Sequence, residues 1–168
     1  MIRISWGTTR FVVLVGTVAI KMVRPRPLWV LRRLARYLIT GVAPKRLLAY
    51  ADNPLESAAK HLFAGVAVNR REYRLWQEFP HHFMVPTLYS LRGIVNIQMR
   101  GQAISEEELA LSHPFRSSLK GMTPDAIGDM VKAMNFCRYE GHICLLDYGS
   151  EDTFALFSQP EIQHHMAA

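Results

Sequence analysis

Four short stretches carry side chains that could act together. An apolar run, Val18-Ala19-Ile20, ends on Lys21, and a later charged stretch, Asn69-Arg70-Arg71-Glu72-Tyr73, holds Glu72. Lys132-Ala133-Met134-Asn135-Phe136 contributes an amide, and Asp147 follows twelve positions after Asn135 within Leu145-Leu146-Asp147-Tyr148-Gly149. One ammonium and three oxygen-bearing side chains are suited to charged substrates and hard cations rather than to thiol or imidazole chemistry. Cys137 and Cys144 lie seven apart with no Cys/His ligand spacing, so ordinary buried thiols are expected. The pairs His81–His82 and His164–His165 lack the spacing that puts two ligands on one helix face. Each stretch also has a plain reading. Lys21 can end a strand in water, Glu72 can pair with an arginine, and Asn135 and Asp147-Tyr148-Gly149 can be turns.

The elements that must position these residues are legible. Ile2–Trp6, Phe11–Val15 and Thr17–Val23 read as three antiparallel strands with turns at Gly7-Thr8-Thr9 and Gly16. Pro25 and Pro27 break the sheet before Leu28–Leu38. That segment reads as an amphipathic helix, with Leu28, Leu31, Leu34, Ala35 and Leu38 opposite Arg32, Arg33 and Arg36. Asn53-Pro54-Leu55-Glu56 is a helix start, and a long helix runs from it to about Phe79. Val85–Leu91 and Gly93–Met99 form a hairpin around Arg92-Gly93. Ser105-Glu106-Glu107-Glu108 opens another helix, and its acids suit the helix dipole. Thr123-Pro124-Asp125 opens a further helix through about Val131, and Ile143–Leu146 is a short buried strand. The order β-β-β-α-α-β-β-α-α-β gives an α+β class.

In that order, the four stretches resemble the protein-kinase-like superfamily, closest to small, degenerate proteins of bacterial or phage type. Val18-Ala19-Ile20-Lys21 is similar to the strand carrying the phosphate-binding lysine, with Glu72 as its helix partner. Asn135 and Asp147-Tyr148-Gly149 resemble the end of a catalytic loop and the metal-binding segment. The resemblance implies ATP held by Lys21 and Glu72, with Mg²⁺ on Asn135 and Asp147. It implies one kinase-like domain over 1–168. Residues 1–101 would form an amino-terminal lobe with a basic insertion at 24–50, and 102–168 a reduced carboxy-terminal lobe.

The pattern also departs from the family. Trp6-Gly7-Thr8-Thr9-Arg10 replaces a glycine-rich phosphate loop, leaving fewer amides to cradle oxygens. Met130 stands where the catalytic aspartate belongs; Asp129, adjacent, could serve if the loop holds one extra residue. Losing a positioned base removes about 10²–10⁴ in rate. Nineteen residues follow Gly149, too few for the helices of an ordinary kinase. Two functions are therefore expected. One is a minimal phosphotransferase or nucleotide binder. The other is an inactive binding or inhibitory protein of phage or mobile-element type, acting on a partner protein through basic Leu28–Leu48.

Composition bounds the rest. The chain has 168 residues, 20 Lys and Arg against 14 Asp and Glu, a net charge of +6, and 49% hydrophobic residues. That is globular usage, and it excludes collagen, coiled-coil and disulfide scaffolds. Arg24, Arg26, Arg32, Arg33, Arg36, Lys45 and Arg46 crowd one segment, a density that can serve nucleic acid, anionic lipid or an acidic partner. No nucleic-acid motif accompanies it, so nucleic acid is disfavoured. Phe11–Ile20 is apolar but far short of the roughly 20 residues that span a bilayer. A soluble, cytoplasmic protein with no membrane span is the expectation.

Overall fold

A computed structural model describes residues 2–48, 51–78, 83–114, 128–157 and 159–160. In chain order the elements begin with β1 (Ile2–Trp6), β2 (Arg10–Val15) and β3 (Val18–Val23), then α1 (Pro27–Thr40) and α2 (Pro54–Glu78). The hairpin β4 (Thr87–Leu91) and β5 (Val95–Met99) follows. After it come β6 (Gln102–Ala103), α3 (Glu106–Ser112), two 3-10 turns at Gly128–Val131 and Ala133–Asn135, β7 (Phe136–Tyr139), β8 (His142–Leu145) and α4 (Glu151–Phe157). The class is α+β, as expected. The helix expected from Thr123 falls mostly outside the described residues; its described end, Gly128–Val131, is a 3-10 turn. The expected stop of the long helix at Phe79-Pro80 also lies outside them.

Five strands form one antiparallel sheet in the order β1-β2-β3-β5-β4. β2 and β3 turn over Gly16-Thr17, with Gly16 at φ +56°, a left-handed conformation that suits glycine. A second sheet has the order β6-β7-β8. Its hairpin turns on Glu140 and Gly141, both at positive φ, the backbone of a type I′ turn. The two sheets are stitched where residues 83–85 run beside β8. Leu145 N donates to Phe83 O at 2.7 Å and Val85 N to Leu145 O at 3.1 Å.

α2 lies across the five-stranded sheet. Asn53 caps it, its Oδ1 accepting from Leu55 N at 2.9 Å and Glu56 N at 3.2 Å. Ser105 caps α3 in the same way, accepting from Glu108 N at 3.1 Å. The largest apolar core is not under the first sheet. It gathers Leu75, Leu109, Met130, Phe136, Tyr148 and Phe157 between α2, α3, the second sheet and α4.

α1 forms where the amphipathic helix is expected and packs through a narrow side. Its buried contact is Val30, with Trp29 and Leu34 beside it, against Leu47, Ala58 and Leu62. Leu28, Leu31 and Leu38, on the apolar side of the expected amphipathic helix, are 71%, 59% and 76% exposed. Helical spacing identified the stripe but not the side that finds a neighbour.

Candidate functional site

Strand alternation builds the site. Register pairs Lys21 with Val12 on β2 and with Asn96 on β5, so these side chains share a face, and Arg10 and Gln98 follow two residues along their strands. That face looks toward α2, and it is polar. Arg10, Lys21, Asn96 and Gln98 are all buried, and α2 answers with buried Asn69 and Glu72. Asn69 and Glu72 lie three apart and so project from the same helix face.

Glu72, fully buried, is the hub. Its Oε1 accepts from Lys21 Nζ at 2.6 Å. Its Oε2 accepts from Arg10 Nη1 at 3.1 Å and from Asn96 Nδ2 at 3.3 Å. Asn69 braces the cluster, its Oδ1 accepting from Arg10 Nη1 at 3.0 Å while its Nδ2 donates to Gly93 O at 2.9 Å. Lys21 Nζ also donates to Leu146 O at 2.9 Å, reaching the residue before Asp147. Arg10 Nη2 donates to Asp147 Oδ1 at 2.6 Å. Two cations and two carboxylates thus close into one neutral network, which is how buried charges become tolerable.

The electrostatics follow from this closure. Burial pushes the Asp147 carboxyl up, but Arg10 and Lys21 outweigh it and hold the group below its ordinary range. Burial pulls Lys21 down more strongly than Glu72 lifts it. Arg10, opposed by burial, is held above its usual value by Glu72 and Asp147.

The segment around Asp147 is fixed on both sides. Leu146 N donates to Asn135 O at 2.7 Å, which sets buried Asn135 next to the strand end. Tyr148 is fully buried; its hydroxyl donates to Val85 O at 2.7 Å and shares a 2.7 Å hydrogen bond with the Thr87 hydroxyl. Gly149 presses on α2 so closely that a Cβ there would overlap the carbonyl of Val68. Its own carbonyl accepts from Arg71 Nε at 2.9 Å.

Of the expected residues, Lys21, Glu72 and Asp147 therefore meet, and Asn135 adjoins them through its backbone. Asp129 sits in the 3-10 turn Gly128–Val131, its side chain outside the described part, while neighbouring Met130 is buried in the main core. Of the pair on which Mg²⁺ is expected, Asn135 and Asp147, the carboxylate has one oxygen engaged by Arg10. Asp147 Oδ1 accepts from Arg10 Nη2, while the side chain keeps 44% of its surface exposed. Among the described residues no cluster of three or more His, Cys, Asp or Glu could hold a metal. Arg10, Asn69 and Asn96 were not singled out in the sequence. For Arg10 the signal was there: period-two alternation through β2 puts it on the face of Lys21's partner. Comparisons with protein-family models, with curated proteins and with solved structures return no match for this chain.

Proposed function

We propose that the chain is a kinase-like domain that does not transfer phosphate, its cleft serving as a structural clamp while its surface does the binding. The observation that carries this reading is Arg10. Its guanidinium bonds Oδ1 of Asp147, the carboxylate on which the resemblance expects a metal, and it bonds Glu72 and Asn69 as well. Lys21, committed to Glu72 and to the Leu146 carbonyl, has one N–H beyond those two contacts. A cleft so neutralised has little to offer a polyphosphate. Buried Met130 at the expected base position points the same way, since a thioether takes no proton.

The test is thermal denaturation with and without millimolar MgATP. A ligand at about 100 times its Kd adds about 2.7 kcal/mol, several degrees for a domain of this size. No shift is expected for the native chain. Arg10→Ala frees Asp147 and is expected to gain a Mg²⁺-dependent shift. A shift of several degrees in the native protein that Asp147→Asn removes would overturn the proposal and restore the minimal nucleotide-binding phosphotransferase.

A further inference from the structure

The charge of this chain is not spread evenly. Its first 51 residues hold ten Lys and Arg and no Asp or Glu, whereas the remainder holds ten basic and fourteen acidic residues. The net +6 is therefore +10 in the first part set against −4 in the rest. Arg10 and Lys21 are consumed by the buried network with Glu72 and Asp147; the other eight basic residues are not part of it.

Most of these gather around α1, and α1 carries a second feature. Leu28, Leu31, Leu38 and Ile39 are 71%, 59%, 76% and 84% exposed. Their spacing, with Ala35 between, sets them in one stripe along the helix on the side away from buried Val30. Arg32 and Arg36 run beside the stripe on one flank. With Trp29, Arg33 and Pro44 they border a groove of about 490 Å³, and the Arg33 guanidinium stacks 4.5 Å over the Trp29 ring. On the other side of Trp29 a hollow of about 320 Å³ opens between Thr8, Thr9, Arg24, Arg26 and Arg46, with no acidic residue in its lining among the described residues.

We infer that α1 docks on an anionic phospholipid surface, with its leucine stripe in the acyl boundary and the arginines at the phosphates. An apolar stripe beside a basic flank on a helix lying in the plane is the arrangement that interfacial binding needs. Trp29 and its stacked Arg33 lie beyond this flank, where the indole packs beside Val30 and anchors the helix to the domain. At 14 residues α1 lies on a bilayer rather than crossing it, and among the described residues no helix is long and apolar enough to cross. A nucleic acid would satisfy the arginines yet leave Leu31, Leu38 and Ile39 in water. The stripe is a convex ridge, which a planar interface covers without a matching groove. This inference does not depend on the state of the cleft.

The experiment is co-sedimentation of the full chain with vesicles of phosphatidylcholine alone or mixed with phosphatidylglycerol. Binding is expected to the mixed vesicles only and to weaken as salt rises. Leu31→Glu with Leu38→Glu should abolish it, and Arg32→Glu with Arg36→Glu should weaken it tenfold or more, on the order of fivefold per arginine. All four side chains point outward, so an unchanged melting temperature verifies folding. Retention in the supernatant with both vesicles overturns the inference. So does equal binding to neutral vesicles, or binding that the leucine pair does not affect. A dimer in light scattering that Leu31→Glu dissolves assigns the stripe to a second copy instead. Binding of an acidic protein by α1 without any vesicle binding assigns it to the partner expected on Leu28–Leu48.

Discussion

Arg10 and Asp147 stand 137 positions apart in the chain, and a 2.6 Å hydrogen bond joins them. Through that bond the second strand of the large sheet holds a residue two positions beyond the last strand of the small one. Because Arg10 also bonds Glu72 on α2, one guanidinium ties three elements together. Removing Glu72 takes a partner from two buried cations at once, and the first prediction follows from that.

Glu72→Ala should be the most damaging change in the cluster. It strands Lys21 and Arg10, both almost entirely buried. Breaking such a pair by deleting one partner costs about 3–5 kcal/mol. Urea denaturation should show that loss, and Glu72→Gln, which keeps the shape, should lose less.

Acid should open the clamp. The Asp147 carboxyl is held below its ordinary value by Arg10 and Lys21. The unfolded chain therefore takes up a proton first as pH falls from the unperturbed value of about 3.9. The contribution of this group is complete above that pH and is lost as pH falls through the depressed folded value. Melting temperature should be insensitive to this residue's titration near neutrality and fall in the acid range. In Asp147→Asn that acid-range component should disappear.

The two thiols should be silent. Burial, reinforced by Cys144, pushes the Cys137 thiol up to about 12, and burial pushes Cys144 up to about 11. Thiolate is the reactive form. A disulfide-exchange reagent at about pH 8, below the ordinary thiol value of about 8.5, should therefore titrate no thiol in the folded protein. It should titrate both after unfolding. Rapid labelling of the native protein would contradict this placement.

The Tyr148 hydroxyl links Val85 and Thr87, so Tyr148→Phe should cost about 1–2 kcal/mol, the penalty for leaving buried partners unsatisfied. Gly149→Ala should cost at least as much, because a methyl has no room against the α2 backbone at Val68. Chemical denaturation of the two single variants checks both values.

Much of the fold could be read from local chemistry. The strand turns at Gly7-Thr8-Thr9 and Gly16, the asparagine cap at Asn53 and the serine cap at Ser105 each act within a few residues, and each appears where expected. The hairpin β7–β8 escaped because its turn is Glu140-Gly141. Glutamate at positive φ is uncommon, so the pair does not announce a type I′ turn as Asn-Gly would. α4 escaped as well, since Glu151–Phe157 is too short for its periodicity to stand out.

The sequence by itself determined which side chains could meet, because alternation and helical spacing are local rules. Lys21 on a strand face, Glu72 on a helix face and Asp147 after a buried strand follow from those rules, as does the stripe on α1. Only the tertiary structure decided what each one faces. Arg10 reads in the chain as a charge flanking an apolar run, yet the sheet turns it inward to Asp147 and Glu72. Leu28, Leu31 and Leu38 read as one apolar side of a helix, and α1 seats on Val30 and leaves them in water. The reason is the same in both cases. Periodicity specifies which residues share a face, while the partner of that face comes from elements dozens of residues away.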